Sequence, residues 1–295
     1  SNQKLETAST TGDKIDISPE YKDFLPSIAL TYFLTENINL RAAFSKTLAR
    51  PEFRELAPFS YYDFISNESV QGNPDLKRTL IQNYDLRFEV FPAGNELIAV
   101  SAFYKIFENP IEQVLIAASQ FNPVRSFANA DKAHNYGIEL EVRQNLSRIS
   151  NYLDNFSVVG NLSLINSKIE IDNKGNEGFQ ESSRPMQGQA DFIMNAGLYY
   201  ENLDYGFSSS VVYNKVGEKI AKAGFAGLGD VIEKPRDQID LSVTQKIIDK
   251  FSIKFTAKDV LSQDHVFIQR TPSGDKIFNK DFKTNSYSIS LSYQF

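Results

Sequence analysis

The sequence predicts an all-β fold: a transmembrane antiparallel β-barrel, with about eleven strands here forming the C-terminal half of a 22-stranded ring. Three observations predict it. Apolar and polar residues alternate with a period of two, the alternating stretches run to about ten residues or more, and the connections between them alternate between short and long. A tilted strand needs about that length to cross a bilayer, roughly twice the usual strand of a water-soluble domain.

The alternation is plainest at the C-terminus, where Tyr287, Ile289, Leu291, Tyr293 and Phe295 interleave with Ser286, Ser288, Ser290, Ser292 and Gln294. Helical spacing would scatter these residues around an axis, whereas a strand puts them on two faces. Earlier, Ile38, Leu40, Ala42 and Phe44 alternate with Asn39, Arg41, Ala43 and Ser45. Tyr136, Ile138, Leu140 and Val142 alternate with Gly137, Glu139, Glu141 and Arg143, and Phe251, Ile253, Phe255 and Ala257 with Ser252, Lys254, Thr256 and Lys258. In order, the strands are centred near Ile28, Ala42, Asp85, Val100, Leu140, Leu162, Asn195, Val211, Leu241, Phe255 and Ile289.

Short connections are expected at 35–37, 92–95, 201–204 and 248–250, and long ones at 49–76, 108–133, 171–184, 217–234 and 261–282. Outer-membrane barrels have this asymmetry, with tight turns on the periplasmic side and long loops outside. The connection at 144–155 is longer than a tight turn but falls on the short side. Residues 1–20 are polar and have no signal-peptide core, so they read as an extracellular loop segment ahead of the barrel at 21–295. With an odd number of strands the first and last run parallel and cannot pair in an antiparallel ring. Open edges in hydrocarbon leave backbone groups unsatisfied, so upstream strands and a partner half are expected.

Composition closes off other classes. No apolar run reaches the roughly 18–20 residues of a spanning helix; the longest, 24–34, is interrupted by Pro26 and Ser27. With no cysteine there is no thiol nucleophile or Cys-based metal site, and a net charge of −6 argues against nucleic acid as partner. His134 and His265 are the only histidines, and neither sits in a nucleophile or ligand motif, so no enzyme and no cofactor is expected. The Asp172, Asn173, Gly175, Asn176 and Glu177 run lacks the order of a calcium loop. Gly224, Gly227 and Gly229 do not open a helix after a strand as a nucleotide loop must.

Several stretches resemble TonB-dependent receptors, especially those of Bacteroidota. Arg41 to Pro51 resembles the family's strand that ends in Arg-Pro at an outer loop, and the likeness continues through Glu52 to Phe59 and Tyr61 to Phe64. Gly72–Leu76, Asn83–Leu86, Phe103–Lys105 and Asn135–Glu141 follow in the family's order, and Tyr293 and Phe295 resemble the terminal aromatic signal read by the barrel-assembly machinery. The resemblance implies an outer-membrane wall, embedded in lipid, for energised import of a scarce ligand. Its further partners would be the receptor's N-terminal half and plug and the TonB complex. A companion surface lipoprotein, as in SusC-like members, is compatible with the resemblance but leaves no signature in these residues. A non-transporting barrel that anchors an envelope complex, a passive porin, and a secreted soluble β-adhesin, which would need no detergent, are the alternatives.

Candidate sites follow from residue types. Arg50, Arg54, Phe59, Tyr61, Tyr62 and Phe64 make an aromatic, cationic outer loop able to stack on or hydrogen-bond a ligand, or to fold against the wall. Arg41, Asp85, Arg87, Glu89, Glu139, Glu141, Arg143, Lys254 and Lys258 fall on the side of the alternation away from lipid, where they can pair across strands. The resemblance implies that Arg41, Asp85, Arg87, Glu139, Glu141 and Arg143 face a plug. Gly72–Asn73–Pro74–Asp75 reads as a turn in which glycine supplies a positive φ. Tyr32, Tyr104, Tyr199, Tyr200, Tyr205, Phe207 and Tyr213 suit aromatic girdles.

Overall fold

The computed structural model describes all residues except 1–4, 9–13, 18–21, 65–67, 118–122, 172–182, 225–227, 249, 272 and 295. Eleven strands run in sequence through one antiparallel sheet: β1 (Ser27–Thr35), β2 (Ile38–Ala49), β3 (Thr79–Val90), β4 (Leu97–Glu108), β5 (Lys132–Asn145), β6 (Phe156–Glu170), β7 (Phe192–Asn202), β8 (Phe207–Val216), β9 (Arg236–Ile248), β10 (Phe251–Lys258) and β11 (Ser286–Tyr293); a twelfth, the two-residue Ser183–Arg184, pairs with the outer end of β6. Their spatial order is their chain order, and β1 and β11 are the two edges. Each expected centre lies within its strand. β10 and β11, at eight residues each, are shorter than expected.

Register turns the alternation of each strand into two continuous faces. Val100, Leu140, Leu162 and Met194 meet across β4 to β7 on one face, and Ser101, Glu139, Ser163 and Ile193 on the other. The apolar face carries exposed Leu30, Leu86, Leu140, Leu198 and Ile289, spread from one edge strand to the other. Water would not tolerate so large an apolar patch; a lipid surface requires it. Phe44, Tyr84, Tyr104 and Tyr136 form a row across β2 to β5 on this face, with ring centroids 5.0, 6.4 and 6.4 Å apart, near the ends that lead into long loops. Phe156, Tyr200 and Phe207 form a second row at the short-turn end. On β7, Phe192 and Tyr200 bracket Met194, Ala196 and Leu198, a rise of roughly 20 Å along the membrane normal at a strand tilt of about 40°. Tyr199 is a correction to the girdle expectation: it pairs with Ser157 and Ser210 on the polar face.

The connection after β5 is longer than a tight turn because it is two 3-10 turns, Leu146–Arg148 and Asn151–Leu153, capped by the side chains of Asn145 and Ser150. Arg148 donates to Glu96 at 3.0 Å and to the Pro92 carbonyl at 2.9 Å, tying this connection to its neighbour.

Four of the long connections, 49–76, 108–133, 217–234 and 261–282, contain regular structure. Their segments build a second sheet of eight strands, in the order Lys276–Asp281, His265–Gln269, Val231–Glu233, Lys219–Gly224, Ile111–Ala117, Pro123–Asn129, Glu68–Gln71 and Ser60–Asp63. One of its faces packs on the barrel's outer end through Val114, Ala223, Ala133 and Ile169. The other is covered near Val70 and Phe127 by Leu56 of a one-turn helix, Phe53–Leu56. Gly72 owes its place to that helix and not to a positive φ, which is a second correction. A Cβ on Gly72 would lie 2.2 Å from the Ala57 carbonyl oxygen.

Candidate functional site

Two features have the chemistry of a site: the charged side of the wall and the outer sheet above it. On the polar face, Glu89 is buried and accepts from Arg41 Nε at 2.7 Å and from Arg87 Nε at 2.8 Å. Arg87 reaches on to Glu141 at 2.7 Å and to the Ser101 hydroxyl at 3.0 Å. The cluster spans β2 to β5 by one route: directly opposed or diagonal residues on a single face. Asp85, Glu139, Arg143, Lys254 and Lys258 share that face outside the cluster; Glu139 accepts from Ser163 at 3.4 Å. A charge on the opposite face would meet hydrocarbon, so placement of all nine on one face follows from membrane insertion.

Between the wall and the outer sheet, Arg184, which pairs with Ile169 of β6, and Glu112 of the outer sheet form an ion pair in which both side chains are 3% exposed. Glu112 also accepts from the backbone N–H of Gln187 at 3.1 Å, and Gln187 donates to the Ala221 carbonyl at 2.7 Å. The segment around Arg184 is thus bolted to two strands of the sheet. Beside it lies a cavity of about 230 Å³ between Ser167, Arg184, Asp230 and Arg270. Its Glu218 accepts from Lys234 at 2.8 Å and Arg270 at 2.6 Å.

The aromatic, cationic outer loop divides in two. Tyr62 is exposed on the edge strand of the outer sheet and Phe59 and Phe64 are exposed at its two ends, with Tyr62 and Phe64 rings 5.0 Å apart edge to face, and Arg54 is exposed on the short helix. Tyr61 packs on the Leu56–Val70 cluster, and Arg50 lies 3.8 Å from Asp23, whose carboxylate takes Arg78 at 2.7 Å. Four of the six residues are therefore exposed, while Tyr61 and Arg50 hold the loop down. Tyr293 closes β11 opposite Phe251. Phe295 and the Asp172–Glu177 run lie outside the described residues.

His134 Nδ1 is 2.8 Å from the Tyr104 hydroxyl, and the two rings stack. His265 belongs to an outer-sheet strand, 3.2 Å from Arg236 and 3.7 Å from Glu233. Its burial, then the charges of Arg236 and Lys283, hold its pKa below the ordinary imidazole value, against the opposing pull of Glu233 and Asp281. A depressed histidine protonates more readily once its surroundings open. Its stabilising contribution is therefore present above pH about 6.5 and is lost as pH falls towards the folded value. Amide hydrogen exchange across His265–Gln269 is expected to speed up between pH 7.5 and 5.5, beyond the intrinsic pH effect, and His265→Asn is expected to abolish that extra change.

A family model described as "TonB dependent receptor-like, beta-barrel" matches residues 2–260. No curated protein matches the chain significantly in sequence. Among solved structures, the fold is similar to the ferric enterobactin receptor PfeA of Pseudomonas aeruginosa, with a TM-score of 0.62 and 16% identity over 96% of this chain and 42% of that one. It is also similar to the siderophore receptor PirA of Acinetobacter baumannii, at 0.61 and 15% over 96% and 42%. The FrpB iron transporter of Neisseria meningitidis gives 0.62 and 14% over 98% and 41%. At these identities the likeness shows the fold alone, and the chain spans less than half the length of each of these structures.

Proposed function

Because the chain belongs to the TonB-dependent receptor-like β-barrel family, a family of the outer membrane, we propose that it is the wall of a receptor that imports a scarce ligand with energy supplied through TonB. The observation that carries this reading is the Arg41–Glu89–Arg87–Glu141 cluster on the polar face. A wall facing only water needs no buried carboxylate held between two guanidiniums; one that docks a plug gains a rigid, charged seat. Above it, the exposed Phe59, Tyr62 and Phe64 with Arg54 form the capture surface. The structural neighbours are a ferric enterobactin receptor, a siderophore receptor and an iron transporter, which puts ferric chelates first among the ligands to try.

Uptake is the test. Cells whose uptake depends on the full-length receptor are given radiolabelled ferric chelates, cobalamin, an oligosaccharide and a peptide, with and without a protonophore. Energised import predicts uptake of one class that the protonophore abolishes. Protonophore-insensitive uptake of many classes, with steady conductance in planar bilayers, would identify a porin and end the proposal. In the same bilayers Arg87→Ala with Glu141→Ala is expected to raise a low conductance several-fold, because the seat of the plug is loosened.

A further inference from the structure

The polar face of the wall changes chemistry between two adjacent strands. The Arg41–Glu89–Arg87–Glu141 cluster ends on β5 at Glu141, which lies directly opposite Asn161 of β6. From there the row continues as amides: Asn161, Asn195 and Asn214 are directly opposed on β6, β7 and β8. Asn195 donates to Asn161 Oδ1 at 2.7 Å, and Asn214 donates to Asn195 Oδ1 at 2.5 Å. Among the described residues, the NH2 of Asn161 and the side-chain carbonyl of Asn214 have no partner. Two strand spacings, roughly 10 Å, separate this open donor from the open acceptor. Nearer the short-turn end, Tyr199 is exposed and its ring lies back over Gly197, where a Cβ would come within 2.7 Å of it. At the level of Tyr199, the Ser210 and Ser242 hydroxyls are 2.9 Å apart. Among the described residues, the polar face of β6 to β8 carries one charge, Glu201, at the short-turn end.

Charge-assisted hydrogen bonds are roughly twice as strong as neutral ones. A plug that touches both sectors is therefore gripped by β2 to β5 and lets go first of β6 to β8. A passage must also bind its cargo weakly enough to release it. An open amide donor, an open carbonyl acceptor and a ring face meet that condition; a salt bridge does not. We propose that the ligand passes the plug along β6 to β8, with Asn161, Asn195, Asn214 and Tyr199 as its contacts halfway down the wall. The cargo suited to this track presents hydroxyl and carbonyl oxygens and a flat ring to it, rather than a formal charge. The inference rests on the plugged-receptor reading given above and adds to it where on the wall the passage opens.

The order of release is tested without any ligand. Ser210→Cys and Ala43→Cys are made separately in the full-length receptor, freed of other cysteines, and labelling by fluorescein maleimide is followed in detergent as urea rises to a level that the wall survives. Ala43 lies on the polar face of β2, opposite Asp85. Ser210→Cys is expected to become reactive at lower urea than Ala43→Cys. Simultaneous exposure, or Ala43→Cys first, overturns the inference. Full reactivity of both without urea would show an open lumen and remove the receptor reading together with this inference. Transport supplies a second arm, with the four radiolabelled probes named above. Asn161→Ala with Asn195→Ala is expected to lower the maximal rate of energised uptake about tenfold and to leave half-saturation unchanged, because two hydrogen bonds are lost inside while capture is outside. Tyr199→Ala is expected to act in the same direction, and Tyr199→Phe to restore the rate. Heat-modifiable migration checks folding; if the double variant fails to fold, the two Tyr199 variants carry this arm. Energised uptake unchanged in both the double variant and Tyr199→Ala would place the passage elsewhere on the wall, overturning the inference and leaving the receptor reading standing.

Discussion

Replacing Glu112 by alanine is expected to destabilise the outer sheet by about 3 to 5 kcal/mol, because it leaves the Arg184 guanidinium buried without its carboxylate. The loss extends beyond the pair. Glu112 also accepts from the Gln187 backbone, so the 183–189 segment loses two anchors at once. Replacing both partners, Glu112→Leu with Arg184→Met, removes the charges together and is expected to cost much less, since desolvation of the pair offsets most of its attraction. Hydrogen exchange of 111–117 and 123–129 in the intact receptor separates the cases. If the single variant exchanges no faster than the double one, the pair is not a latch.

Arginine at position 162 is expected to cost roughly 2 to 4 kcal/mol of membrane stability, whereas arginine at the adjacent position 163 is expected to cost little. Leu162 lies between Leu140 and Met194 on the lipid face near the middle of β6. Ser163 lies on the polar face, where an arginine would meet Glu139. The two substitutions add the same group one residue apart, so any difference measures the face and not the residue type. Urea unfolding of the full receptor in lipid vesicles gives both values. Equal losses would mean that the two faces do not differ as lipid and interior.

The wall was legible because insertion in lipid imposes its own pattern. A residue such as Leu140 or Ile289 must be apolar and its neighbours need not be, and that constraint repeats over each whole strand. Centres for all eleven could therefore be found from alternation alone. The outer sheet was not legible for the opposite reason. Its strands are short, from three to seven residues, and positions such as Val114, Ala223 and Val231 are buried by packing that no local period announces. Its pairings also join loops remote in sequence: Ala223 lies beside Val114, and Val124 beside Ser69. The Arg184–Glu112 pair is a contact of the same kind. Of the candidate ligand loop, the residue types were readable, but the separation of exposed Phe59, Tyr62 and Phe64 from the anchoring Arg50 and Tyr61 depended on Asp23 and Leu56, which have no pattern linking them to it.

The remote pairings of the outer sheet also order the chain's assembly in time. β1 to β11 pair with sequence neighbours, so each hairpin can close as soon as its own residues arrive. The Ala223–Val114 contact needs segments from two loops with four wall strands, β5 to β8, between them. Closing such a contact before those strands have paired carries a large loop entropy. The mouth is therefore the last part to form, and its loops cross the bilayer before they have any structure to protect. A defect in the outer sheet would leave a correctly inserted wall with an unfinished entrance, whereas a defect in the wall would leave neither.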